Sequence, residues 1–280
     1  MERRLILRGL LAGAAGGLLA FVFARIFAEP QIQTAIEYEH GRAAAQAALG
    51  AASGVAAEVA GSEPFSRAVQ GNAGLGLALI LFGTAMGALF AVVYTMCLGR
   101  AGRLRARPLA VLLAAGAFLG MYLVPFLKYP VNPPAVGEAE TIRMRSGLYL
   151  LMVGCSVVLL LLAVWSGRRL RVRFGSWNAT LLGAAVFVAA VGLLMLVLPS
   201  VGDLGDASPH RATETPLPLL DASGRMIYPG FPADVLFDFR LASLGTQLIM
   251  WAAIGLIFGP LAERLLEPAR PGREAVAAGA

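Results

Sequence analysis

Phe126-Leu127-Lys128-Tyr129-Pro130-Val131-Asn132-Pro133-Pro134-Ala135-Val136-Gly137 is the densest patch of unusual chemistry in the chain, and it separates two long apolar runs. Proline lacks the backbone donor that a helix interior needs and clashes with the preceding turn, so the stretch is predicted to be a stiff, extended or turned connector. Lys128, Tyr129 and Asn132 are thereby held at the end of an apolar run. Two readings stay open: a rigid spacer between helices, or a shaped functional surface.

The flanking runs decide the class. Of 280 residues, 58% are hydrophobic and 14% charged, with mean hydropathy +0.72, far from the roughly 25% charged residues of soluble domains. An all-α, polytopic membrane protein is predicted, a single membrane domain over 1–280. Six spans are expected at 5–27, 73–98, 108–127, 146–165, 179–198 and 241–259, each near the roughly 20 residues that cross hydrocarbon. Segments 28–72, 128–145 and 199–240 are then aqueous loops on one face. Arg25 stands where a signal peptide would be small and neutral, so the first run is read as a retained helix. Glycines at 9, 13 and 17, and the pairs 83/87, 116/120 and 255/259, give flat faces for close helix packing or for a homo-oligomer. Cys97 and Cys155 fall at different depths in these spans, too far apart for a disulfide.

Charge placement gives the orientation. If every run spans, the N-terminal side carries 14 of the 23 Lys and Arg but 4 of the 17 Asp and Glu, with clusters at Arg100–Arg107 and Arg168–Arg173. That side is expected to be cytoplasmic, with both termini on it, in the inner membrane of a bacterium. The net charge of +6 therefore records topology and contact with anionic lipid, not affinity for nucleic acid.

The chain contains no GxxxxGK[ST] phosphate loop, HExxH or GxSxG, and nothing supports an enzymatic reading or a resident cofactor. No charged residue stands in the middle of a span, which removes the usual proton relay of a coupled carrier. Arg240, Ser243 and Gln247 stand at i, i+3 and i+7 on one helical face, with Gln247 about 10 Å deeper than Arg240. Such a stripe either lines a pathway or makes one helix-to-helix hydrogen bond at an interfacial arginine. Glu37, Glu39 and His40 bring two carboxylates and an imidazole together, a weak candidate set for a divalent metal or a solvated helix end.

Beyond these patterns, the chain resembles CbtA, the cobalt transporter subunits of bacteria, over nearly its whole length. The likeness is carried by Ala28-Glu29-Pro30, by Ser66-Arg67 with Gln70, by Val124-Pro125-Phe126-Leu127-Lys128-Tyr129-Pro130 through Asn132-Pro133-Pro134-Ala135-Val136-Gly137, and by Phe231-Pro232-Ala233-Asp234 with Phe239-Arg240-Leu241-Ala242-Ser243-Leu244-Gly245-Thr246-Gln247. The resemblance implies a membrane subunit for uptake of cobalt(II), linked to cobalamin synthesis and paired with a small single-span, histidine-containing subunit, CbtB. Glu29, Lys128, Tyr129, Asn132, Arg240, Ser243 and Gln247 become the pathway candidates. One departure is plain: many members carry a His- and acid-rich run after the first helix, whereas here His40 is followed by Gly41-Arg42-Ala43-Ala44-Ala45. A permease for another small solute and a non-transporting interaction subunit are the competing readings.

Overall fold

The computed structural model describes residues 2–52, 66–100, 102, 104–134, 136–137, 141–200 and 215–266. In chain order it contains α1 (Glu2–Phe27), α2 (Glu29–Ala52), α3 (Arg67–Cys97), α4 (Ala106–Lys128), α5 (Ile142–Val197), strands β1 (Leu219–Leu220) and β2 (Met226–Tyr228), and α6 (Ala233–Leu266). Among the described residues five helices, α1, α3, α4, α5 and α6, are long and apolar enough to cross a membrane. The expected helical membrane bundle is therefore present. The stretches richest in acid, Asp203, Asp206, His210 and Glu214, together with Glu138 and Glu140, lie outside the described residues.

The helices divide between two compact units. The first draws on residues up to Val22, from Asn72 to Gly116 and from Thr246 onward. Here α1 and α3 lie antiparallel with backbones in contact. A Cβ on Gly9 would stand 2.3 Å from the Gly87 carbonyl oxygen, one on Gly13 2.1 Å from that of Gly83, and one on Gly17 2.4 Å from that of Leu79. Only glycine fits at such a seam, where van der Waals contact replaces the hydrophobic effect that lipid cannot supply. The same logic sets α6 on α4, with Gly255 against Ala114 and Gly259 against the Arg107 backbone. Phe258 of α6 meets Tyr94 and Phe90 of α3 edge-on at 4.9 and 5.3 Å, and Arg107 pairs with Glu263 at 2.5 Å.

The second unit comprises Phe23–Gly71 and Ala117–Gly245. Its largest element, α5, is broken at Gly175, where φ is 73° and ψ 171°, a left-handed conformation that glycine adopts without penalty. Beyond it the chain returns along itself: Gly183 stands against the Ala163 carbonyl and Gly167, and Gly167 against the Ala179 carbonyl. Residues 142–174 and 176–197 are thus two antiparallel rods. Met152, Ala163, Phe187 and Val191 between them form one core with Val124 and Tyr129 of the α4 end.

One segment departs from expectation. The aqueous loop predicted from residue 28 is helical as α2 as far as Ala52. Pro30 in its first turn suits a helix start, since the missing N–H has no partner there anyway. Its ordering comes from distant chain: Ala35 and Tyr38 share a core with Val136, Phe231 and Leu236. The Tyr38 hydroxyl donates to the Pro229 carbonyl at 2.9 Å, and Arg42 donates to that of Leu217 at 2.7 Å. The β1–β2 hairpin beneath is closed by Asp221, which accepts from the Ser223 hydroxyl at 2.6 Å and from the Ser223 and Arg225 amides at 2.9 Å. These donors hold its carboxyl below the usual range, Ser223 contributing most. Likewise α6 begins at Ala233 rather than Leu241, with Asp234 in its first turn favouring the helix N-terminus.

Candidate functional site

The connector that opens the sequence is a shaped, non-helical backbone in the structure. It leaves α4 at Lys128, and Pro133 and Val136 are buried within it. Tyr129 is 5% exposed, and its hydroxyl donates to the Pro199 carbonyl at 2.9 Å, which ties the connector to the far end of α5. Burial pushes the Tyr129 phenol up. The Lys128 ammonium lies 5.9 Å from the centre of the Tyr129 ring, within the range of a cation–π contact. Gly137 closes the connector at φ 133°, where a Cβ would also meet an Arg145 guanidinium nitrogen at 3.0 Å.

Arg240 of α6 is clamped to this connector. Its Nε donates to the Val131 carbonyl at 3.1 Å and its Nη2 to the Asn132 side-chain oxygen at 2.8 Å. A planar guanidinium can serve two acceptors at once in a fixed geometry, which a lysine cannot reproduce. Arg240, at the head of the polar stripe of α6, thereby meets the Lys128 stretch. One turn along α6, Ser243 shares a hydrogen bond with the Tyr122 hydroxyl, beside which Tyr149 of α5 also lies. Tyr122 belongs to Phe118–Leu123, a π-helical segment of α4, and stacks between Phe118 and Phe126 at 6.2 and 5.5 Å. π turns redirect side chains and are frequent at functional sites. Gln247 is half-buried further along the same helical face, next to the buried Thr246.

Glu29 sits in a second polar cluster of the same unit. Its Oε1 accepts from Arg67 Nη2 at 2.6 Å, with the two side chains 12% and 25% exposed. Arg67 also donates to the Gln70 side chain at 3.3 Å. Gly71 makes room for the carboxylate, since a Cβ there would lie 2.3 Å from it. This contact falls in the π-helical segment Gln70–Gly74, at the start of α3. Arg67 Nε is buried without a hydrogen-bond partner.

The third group is unlike the other two. Glu37, Glu39 and His40 are all exposed on α2, and Glu37 accepts from Gln33 at 2.8 Å. Among the described residues no three His, Cys, Asp or Glu side chains converge to hold an ion.

Three participants were not singled out from sequence as site residues. Tyr122 carried the one available signal, a polar tip within an apolar run, which in a membrane calls for a partner. Arg67 stood among the residues that carry the family resemblance but with no partner to give it a role, and Arg145 gave no signal beyond its charge.

A family model described as Probable cobalt transporter subunit (CbtA) matches residues 2–263. No curated protein and no solved structure matches the chain. The matched region runs from the start of α1 into the last turn of α6 and takes in the connector, its Arg240 clamp and the Glu29–Arg67 pair, and the chain therefore belongs to the CbtA family of probable cobalt transporter subunits.

Proposed function

We propose that this chain is the membrane subunit of an uptake system for a divalent cation, cobalt(II), and that the cation enters beside the Arg240-clamped connector. The observation that carries the reading is that family match over residues 2–263. The polar groups fit a weak, transient route: phenols, a serine, amides and backbone carbonyls offer neutral oxygen, and one carboxylate, Glu29, is held by an arginine rather than by a preformed ion cage. Oxygen ligands of this kind bind a divalent cation loosely enough to release it. Tight capture is then the work of a second subunit, a small single-span protein whose histidines replace the run that is absent after His40. The exposed Glu37, Glu39 and His40 mark the side from which the ion arrives.

Labelled cobalt accumulation in cells lacking their own uptake system tests this directly. Accumulation should rise when the chain is expressed together with such a partner. Glu29→Gln, which keeps the shape and removes the charge, should lower it about tenfold, the equivalent of 1.4 kcal/mol. An unchanged cobalt level with wild-type chain and partner both in the membrane would end the transport reading. It would favour an interaction subunit.

The orientation follows from the arginine clusters. In our reading the two rods of α5 both cross, giving six crossings with both termini and the Gly175 turn in the cytoplasm. Reporter fusions placed after Leu104 and after Lys128 should therefore report opposite sides. A fusion at Gly175 should match the first. Agreement of the Leu104 and Lys128 fusions would remove the six-crossing arrangement.

A further inference from the structure

The α5 hairpin carries an apolar groove that the transport reading does not use. About 690 Å³ opens laterally between the rods, with Leu151, Gly154, Cys155 and Val158 on one wall and Ala190 and Leu194 on the other. A second hollow of about 390 Å³ shares Val158 and continues past Leu161 and Leu162 to Trp165. From Leu151 to Trp165 the groove follows one rod for about 21 Å. It is long and narrow, and its walls are almost wholly apolar.

What closes its end is charged. The Arg169 guanidinium stacks over the Trp165 ring at 4.3 Å, so a cation is fixed where the apolar lining stops. Arg168, Arg171 and Arg173 follow within the same turns, and neither rod contains a single Asp or Glu from Ile142 to Val197. The neutralising anion must come from outside this element. A chain-shaped apolar groove that ends at an indole and a guanidinium has the two-part chemistry of one molecule, a phospholipid with an anionic headgroup.

We infer that the α5 hairpin holds one anionic phospholipid from the arginine-side leaflet, its phosphate on Arg169, its acyl chain along Trp165, Leu162 and Val158. A general basic patch would draw lipid by charge alone, wherever arginine stands. Here the position of Trp165 ties charge and groove together. Arg171 carries the same charge about 120° further round the rod from Trp165 and so lies off the groove.

That offset gives the test. The full chain carrying Trp177→Phe and Trp251→Phe keeps Trp165 as its one tryptophan, and is reconstituted in phosphatidylcholine vesicles. Phosphatidylglycerol with brominated acyl chains is titrated in, and quenching of Trp165 is read. Quenching should saturate at a lower lipid fraction than with brominated phosphatidylcholine. Arg169→Gln should raise the midpoint about fivefold, the value of one interfacial arginine, while Arg171→Gln leaves it in place. Gly154→Leu fills the groove from a position with nothing within 4 Å and should weaken quenching without unfolding the hairpin. Equal midpoints for the two lipids, or equal effects of Arg169→Gln and Arg171→Gln, would overturn the site. Absence of quenching by either lipid would also overturn it, because a protein surface such as a second copy would then cover the groove.

Discussion

Arg240→Ala should lower cobalt accumulation by at least about tenfold while the protein still reaches the membrane. The guanidinium makes two hydrogen bonds to the connector, at 3.1 and 2.8 Å, and bonds to a charged group contribute about 1.5–3 kcal/mol each. Losing them frees Val131 and Asn132 from α6, so the connector no longer presents its carbonyls in one arrangement. Since 1.4 kcal/mol is a factor of ten, even a fraction of that loss is visible in a rate. Arg240→Lys should not restore uptake, because one ammonium cannot span the fork between a carbonyl and a side-chain amide. Asn132→Ala, which removes one acceptor of the two, should fall between wild type and Arg240→Ala. Normal accumulation in Arg240→Ala, at matched protein level, would show the clamp to be scaffolding alone.

The largest stability effect is expected at the α1–α3 seam. Gly13→Val should prevent recovery of folded protein in mild detergent, or lower its melting temperature steeply. A Cβ there would lie 2.1 Å from the Gly83 carbonyl oxygen and 2.9 Å from the Gly87 Cα, so the obstruction is backbone and cannot rotate aside. Overpacking of ordinary side chains costs about 1–3 kcal/mol, and a backbone clash belongs at or above the top of that range. Gly192→Val is the matched control. Nothing lies within 4 Å of the Cβ it would add, and its melting temperature should stay within about 2 °C of wild type. If Gly13→Val melts with wild type, α1 and α3 do not pack through this seam.

What the sequence disclosed depended on the range of the interaction. The helical membrane class was legible because hydrophobicity is a local sum, and the flat glycine faces because their four-residue spacing is local too. Which faces meet was not written there: Gly9, Gly13 and Gly17 pair with Gly87, Gly83 and Leu79, an intramolecular use that spacing alone does not separate from dimerisation. α2 was missed because its weak amphipathic pattern gives no burial signal by itself. Its order comes from Tyr38 reaching Pro229 and Phe231, far along the chain. The Gly175 reversal was anticipated as a basic loop, yet helical geometry persists almost to the turning residue, since Arg and Val extend a helix as readily as they form a connection. In the site, the Arg240 stripe and the connector were visible as unusual polar chemistry in apolar surroundings. The partners of Glu29 and Ser243 were not, because an arginine or tyrosine says only that it needs a partner.

The π-helical segment Gln70–Gly74 gives the gene an unusual sensitivity to length. A π turn accommodates one residue more than the α turn it replaces, so loss of a single codon there would let α3 wind as an unbroken α-helix. Everything after Gly74 would keep its seam with α1. Everything before it would turn by about 100°, carrying Arg67 off the Glu29 carboxylate that it now holds at 2.6 Å. One residue of length thus separates the part of α3 that packs on α1 from the polar end that holds Glu29, and a natural insertion or deletion at that point would mark a relative in which Glu29 has a different partner.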